Sequence, residues 1–255
     1  MSIPSTYPHE GVICEEVHFL SPSYSHLIPK GGLVWILGLT GALGAGKSTL
    51  AKYLRQEGVP VHCSDNEIHA LLSSDPDVKK KIKTVWPEVF VRGKIDRNEL
   101  GNLVFFSSSR LTQLENILYP KLMQRQRRFL TENQRLKVPL VALDVPLLCE
   151  VGLDRYCHYV LMAAAPFFLR KQRVLNRKGM TVTKFQALTT HQMDEQKRLK
   201  HADFVIRTGL DKGSILKKIR AMLLELSQKP VPKWRGKWPI HIRRRAYGTR
   251  NRIRH

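Results

Sequence analysis

The chain has 255 residues, with 43 Lys and Arg against 21 Asp and Glu, a formal net charge of +22, and 42% hydrophobic residues. That is enough for one sizeable α/β domain with additions or for two small domains, and the excess of cations suits anionic ligands such as nucleotides. Four cysteines (Cys14, Cys63, Cys149, Cys157) without metal-type spacing argue against a disulfide framework. With no apolar run long enough to span a bilayer and no secretory leader, they point to a soluble protein of the reducing cytoplasm, without membrane insertion.

Residues 1–32 hold several Pro and Ser and no sustained periodicity, which reads as a loosely ordered extension. "LVWILGL" (33–39) is a continuous apolar run, as in a strand buried on both faces. Leu50 and Leu54 then mark a helix, "VPVHC" (59–63) a second strand, and 77–86 and 98–106 two short helices. From Arg110 to Gln134 leucines recur at helical spacing, although Pro120 should bend or break that helix. "VPLVALDVPLL" (138–148), "YVLMAA" (159–164) and "DFVIRT" (203–208) read as three more strands. Helices are expected at 166–177, 183–200 and 213–226. Strands alternating with helices imply a parallel, doubly wound α/β sheet. After Gln228 neither period continues, which places a boundary there.

Gly41-Ala42-Leu43-Gly44-Ala45-Gly46-Lys47-Ser48 fits G-x-x-x-x-G-K-[ST], and Thr49 follows. The run lies between a predicted strand and a predicted helix, the setting this motif needs. Its glycines let backbone amides turn around a polyphosphate, and the helix directs its positive end at the same charge. Lys47 can reach the outer phosphates of ATP, and the Ser48 hydroxyl can ligate Mg²⁺. The N-K-x-D of a GTPase and the L-S-G-G-Q of an ABC ATPase are both missing. A small-molecule kinase would need a base near the cradle and arginines to close over it. Asp65, at the carboxyl end of the second strand, can lie beside the cradle and take a proton from an attacking hydroxyl, or it can merely cap the next helix. His69 would share its face if a helix starts at Asn66.

With these residues in hand, the chain resembles the dephospho-CoA kinases, which phosphorylate the ribose 3′-hydroxyl of dephospho-CoA with ATP. "GLTGALGAGKST", "VHCSDNEIHALL", "KIDRNELGNLVF", "LENILYP", "LDVPLLCEVGLD", "RKQRVLNRKGMT" and "HADFVIRTG" carry the resemblance in order, over about residues 33–226. It implies a P-loop kinase fold, a five-stranded parallel sheet flanked by helices, with a helical acceptor region near 66–135 and a lid near 166–180. It implies ATP and Mg²⁺, dephospho-CoA as acceptor, Asp65 as catalytic base and His69 as its basic neighbour. Asp96 and Arg97 fall on an acceptor-side pair, and Pro146, Leu147 and Leu148 on a turn bordering the acceptor pocket, with Glu150 just beyond. Arg173 and Arg177 fall on the lid arginines, four apart on one helix face, and assist Lys47. Nucleotide-base contacts fall near Arg177, Thr208 and Gly209.

The resemblance has departures. Cys63 stands where the family usually has a second Asp, Tyr119 where it has His, Thr208 where it has Asn, and Arg198 where Lys is usual. Asp144 resembles a Walker B aspartate that could reach Mg²⁺ through water. The Cys63 and Tyr119 departures keep open a related P-loop kinase with another hydroxyl or nucleotide acceptor. The segment from Lys229 onward has ten Lys and Arg, no acid, and Trp234, Trp238 and Tyr247 among them. It reads as a disordered basic tail, with a nucleic-acid or anionic-surface contact, and hence a nucleic-acid-binding ATPase, as the other reading.

Overall fold

The structure is a computed structural model and describes residues 34–105, 107–190, 192–230 and 237–239. The first apolar run forms β1 (Trp35–Gly41), buried along its whole length. A strand sends successive side chains to opposite faces. Trp35, Leu37 and Leu39 therefore join one apolar cluster, and Val34 and Ile36 another. Helix α1 (Lys47–Gln56) turns Leu50 and Leu54 into the first cluster.

β2 (Val61–Cys63) runs directly into α2 (Ser64–Ser74). α3 (Pro76–Val85) starts at Asp75, whose carboxylate accepts the Val78 amide at 3.0 Å. A two-stranded antiparallel pair, β3 (Phe90–Val91) and β4 (Lys94–Ile95), precedes α4 (Arg97–Phe105). Asp96 begins that helix by accepting the Asn98 and Glu99 amides at 2.9 and 3.2 Å. Helix α5 (Ser108–Arg135) closes this region, packing Leu118, Leu122, Met123 and Leu130 into the second cluster. The chain continues through β5 (Leu140–Asp144), β6 (Tyr159–Ala164), α6 (Phe167–Leu175), α7 (Val182–Thr190), α8 (Glu195–Leu199), β7 (Phe204–Arg207) and α9 (Lys212–Ser227). α9 returns to the first cluster through Ile215, Ile219 and Leu226.

The strands form one parallel five-stranded sheet in the order β2-β5-β1-β6-β7. Chain order reverses around β1, and ligands collect at the carboxyl ends of strands at such a point. The register opposes Asp144 to both Leu39 of β1 and Cys63 of β2. Three strand ends thus deliver the glycine-rich turn, Asp144 and the Ser64-Asp65 pair to one rim.

Local expectations are corrected at four places. Pro120 lies inside an unbroken α5, because buried Leu118, Leu122 and Met123 hold the helix on both sides of the missing amide. The helix expected over 183–200 is two, since Asp194 caps α8 by accepting the Gln196 and Lys197 amides at 2.9 and 3.4 Å. α2 begins at Ser64, not at Asn66, and α6 ends at Leu175, before Arg177. Residues 1–32 and most of the basic segment, Trp234 and Tyr247 included, lie outside the described residues. Trp238 does not. It is buried at 5% exposure in the second cluster.

Candidate active site

The turn after β1 adopts the backbone its glycines permit. Gly44 and Gly46 have φ of 79° and 85°, the left-handed region. A Cβ at Gly44 would stand 2.6 Å from the Arg170 carbonyl, and one at Gly46 2.6 Å from the Thr208 hydroxyl. Alanine is thus excluded at both positions by backbone and by space. Gly46 precedes the first turn of α1, which has no acidic residue and leaves the positive end of the helix open to an anion.

The turn lines a cavity of about 550 Å³ together with Asp65, Asn66, Asp144, Pro146, Arg173 and Arg177. Gly41 to Thr49 all contribute to it, including Lys47 and the exposed Ser48. Lys47 Nζ forms a close ion pair with Asp144 Oδ1, so the Walker B-like carboxylate holds the cradle lysine. Asp65 is exposed and lies one residue inside α2, while Cys63, with no side-chain cap bond, occupies the capping position. Asp65 is therefore not a helix cap. Cys63 lines the same cavity, and burial raises its thiol pKa, with Asp144 and Asp65 adding to the rise and the Asn66 amide opposing it.

Arg173 lines the cavity and is fixed to the cradle backbone and to Thr208. Its guanidinium donates to the Thr208 hydroxyl at 3.1 Å, the Thr208 carbonyl at 2.8 Å and the Gly44 carbonyl at 3.4 Å. Thr208 in turn donates to the Ala45 carbonyl. Arg177 follows α6 in a turn, its amide bonded to the Val174 carbonyl at 3.0 Å, and still reaches the cavity. The shared helix face expected for the two arginines is replaced by this helix-then-turn arrangement.

A second cavity of about 190 Å³ is walled almost entirely by apolar atoms. Tyr119, Leu122, Met123, Pro146 and Leu147 line it, as do Ser64 and Gln126. Pro146 belongs to both cavities, and consecutive residues Ser64 and Asp65 face one each. The Tyr119 ring sits at the apolar wall while its hydroxyl donates to Glu115 at 2.9 Å.

Not every residue singled out from the sequence lines a cavity. Leu148 is fully buried where a Cβ on Gly38 would touch it, so it packs the core. Thr208 and Gly209 do not line the cradle cavity, and the Thr208 hydroxyl is already engaged by Arg173 and the Ala45 carbonyl. His69 and Arg97 are exposed and outside both linings. Glu150 is buried and accepts from Arg198 at 2.7 Å and from the Met193 amide at 2.9 Å. That pair sets the neighbouring Gln192, whose Oε1 accepts the Leu43 amide at 2.9 Å. Sequence reasoning passed over Gln192, because no local pattern announces a contact spanning 149 residues.

Comparison with known proteins decides the family. The family model described as dephospho-CoA kinase matches residues 35–212. The chain belongs to the dephospho-CoA kinase family. A dephospho-CoA kinase of Paramagnetospirillum magneticum is 42% identical over 164 residues, 64% of this chain and 77% of that protein. One of Gluconobacter oxydans is 36% identical over 197 residues, 76% of this chain and 98% of that protein. Among solved structures, a Thermus thermophilus protein is 34% identical with a TM-score of 0.66, covering 76% of this chain and 98% of its own. Dephospho-CoA kinase from Campylobacter jejuni shares the fold at 20% identity and a TM-score of 0.54, covering 77% of this chain and 99% of its own. Within this family the chain is a kinase of P-loop fold that uses ATP.

Proposed function

We propose that this chain transfers the γ-phosphoryl group of ATP to the ribose 3′-hydroxyl of dephospho-CoA, giving coenzyme A and ADP. The observation that carries this reading is the junction at Ser64-Asp65 and Pro146, where an apolar cavity meets a phosphate cradle. A carboxylate at that junction touches the acceptor hydroxyl from one side and the phosphates from the other. The ring of cations around the cradle, Lys47, Arg173 and Arg177, fits the polyphosphate.

In the step proposed, the Asp65 carboxylate takes the proton of the 3′-hydroxyl as its oxygen bonds to the γ-phosphorus. The bond from that phosphorus to the β–γ bridging oxygen breaks, and its electron pair leaves with ADP. Lys47, freed from Asp144 by the arriving phosphates, and Arg173 neutralise charge spreading over the transferred group. Arg177 folds onto the nucleotide from the lid. Among the described residues no cluster of three His, Cys, Asp or Glu could hold a metal by itself. That fits Mg²⁺, which is bound through one or two protein oxygens and the substrate phosphates. The Ser48 hydroxyl would ligate it, with Asp144 acting through water, and the ion would neutralise charge on the β- and γ-oxygens. The division into an acceptor region near 66–135 and a lid near 166–180 follows the same assignment of roles.

Among the described residues no helix is long and apolar enough to cross a membrane. Among the described residues Cys63, Cys149 and Cys157 form no disulfide, which suits the reducing cytoplasm proposed as the working compartment. The test is incubation of the purified chain with Mg²⁺-ATP and dephospho-CoA, reading product mass and the position of the phosphate. Coenzyme A with equimolar ADP is expected. ADP formed without coenzyme A would overturn the acceptor assignment.

A further inference from the structure

Within the basic C-terminal segment, Trp238 is described and the phosphoryl-transfer reading leaves it unused. Trp238 lies beyond residues 35–212, the part that the family model matches. Its indole is 5% exposed and shares an apolar cluster with Leu122, Met123 and Leu153, all three of which line the apolar cavity. It meets the Tyr156 ring edge-on at 5.8 Å between centroids. A tryptophan so placed cannot stack on the bases of a nucleic acid.

Its one polar atom has a specific partner. Trp238 Nε1 donates to Gln126 Oε1 at 3.0 Å. Gln126 is fully buried on α5, and its Nε2 donates to Ser64 Oγ at 3.1 Å. Ser64 is likewise buried, opens α2 and immediately precedes Asp65. A continuous chain of two hydrogen bonds thus runs from the C-terminal segment, through the cavity wall, to the residue beside the candidate base. Both Gln126 and Ser64 line the apolar cavity. The amide has its oxygen held by Trp238 and its nitrogen by Ser64, which fixes its orientation in the wall. Without the indole, the Gln126 oxygen is left in an apolar environment, where an unsatisfied acceptor is costly.

We infer that Trp238 is a positioning residue for the phosphoryl acceptor, acting through Gln126 on the apolar cavity and on the start of α2. It links residues 237–239, outside the matched family region, to the acceptor side of the site and leaves the phosphate cradle untouched. The inference rests on the phosphotransfer reading above.

The test compares the unchanged chain with Trp238→Phe, which keeps the ring and removes the N–H, and with Gln126→Leu and the double variant. Steady-state kinetics in each substrate and calorimetric binding of dephospho-CoA are read together. Trp238→Phe is expected to weaken acceptor binding and lower acceptor kcat/KM by about five- to tenfold, with KM for ATP unchanged. In the Gln126→Leu background the same substitution is expected to have no further effect, because the partner it acts through is gone. Unchanged acceptor parameters in Trp238→Phe would overturn the inference, as would equal losses for ATP and acceptor or full effects in both backgrounds. Tighter acceptor binding would overturn it too, by making the indole an occupant of the cavity. Absence of coenzyme A with the unchanged chain would remove the functional reading and this inference with it. An active chain with silent variants would remove the inference alone.

Discussion

Asp65 and Asp144 stand at neighbouring strand ends and are held differently. Asp144 is paired to Lys47, whereas Asp65 projects from the first turn of α2 into the cavity. A base that works only in the transition state contributes to turnover and little to nucleotide affinity. Asp65→Asn is therefore expected to lower kcat by about 10²- to 10⁴-fold while the ATP dissociation constant stays within about twofold. Single-turnover rates and nucleotide binding measured on the same preparation check this, and undiminished turnover would remove Asp65 from the reaction. His62, one strand residue before Cys63, gives a separate test. Burial lowers its pKa from 6.5 to about 4, against an opposing pull from Glu67, and its ring packs on Phe129 at 5.3 Å. Between those two values the unfolded chain binds a proton that the native chain does not, so stability rises with pH across the window. Acidification from about pH 6.5 to 4 should cost about 3 kcal/mol through this group, and His62→Leu should flatten that part of the profile. Urea midpoints of both chains at several pH values decide it.

Among the elements, α8 and the residues leading into it are tied to the core by a buried ion pair. Arg198 is fully buried on α8, and its partner Glu150 also accepts the Met193 amide. The adjoining Gln192 reaches the cradle through the Leu43 amide. Removing one member of a buried pair strands the other charge, at a cost of about 3–5 kcal/mol. Arg198→Met should therefore lose about that much stability and also loosen the cradle, raising KM for ATP. Thermal melts with and without ATP will show both effects, and a loss confined to stability would separate the pair from the cradle. The same segment marks where sequence periodicity stops being informative. Continuous apolar runs located the main strands of the central sheet, and leucines at helical spacing the helices packed on it. Burial on both faces of a sheet and on one face of a helix imposes those patterns directly. The start of α8 left no periodic trace, since it is fixed by a cap at Asp194 and by contacts of Gln192 and Met193 with Leu43 and Glu150 far away in the chain. Likewise the cradle and Asp65 were legible because a motif and a strand end place them. Gln126 and Ser64 were not, because a buried amide in a long helix looks like any surface glutamine until its partners are known.

On the scale of the whole molecule, charge acts on stability and on binding in opposite directions. A net charge of +22 repels itself in the compact state, and exposed ion pairs such as Arg128–Glu132, with 79% and 50% exposed side chains, offset little of that. Salt shortens the Debye length from about 10 Å at 0.1 M to about 3 Å at 1 M, so it should relieve the repulsion. The same screening weakens the attraction of the cradle cations for the polyphosphate. Raising NaCl from about 0.05 to 0.5 M is thus expected to raise the Tm of the unliganded chain by a few degrees while KM for ATP increases several-fold. Acceptor binding in the apolar cavity should follow salt less steeply, since its walls present almost no polar surface. A Tm that falls with salt would mean that the ion pairs tying α2 and α3 to α5, Arg125–Glu67 and Lys121–Asp77, outweigh the net repulsion. A KM for ATP indifferent to salt would mean that the backbone amides of the cradle, rather than Lys47, Arg173 and Arg177, dominate its hold on the phosphates.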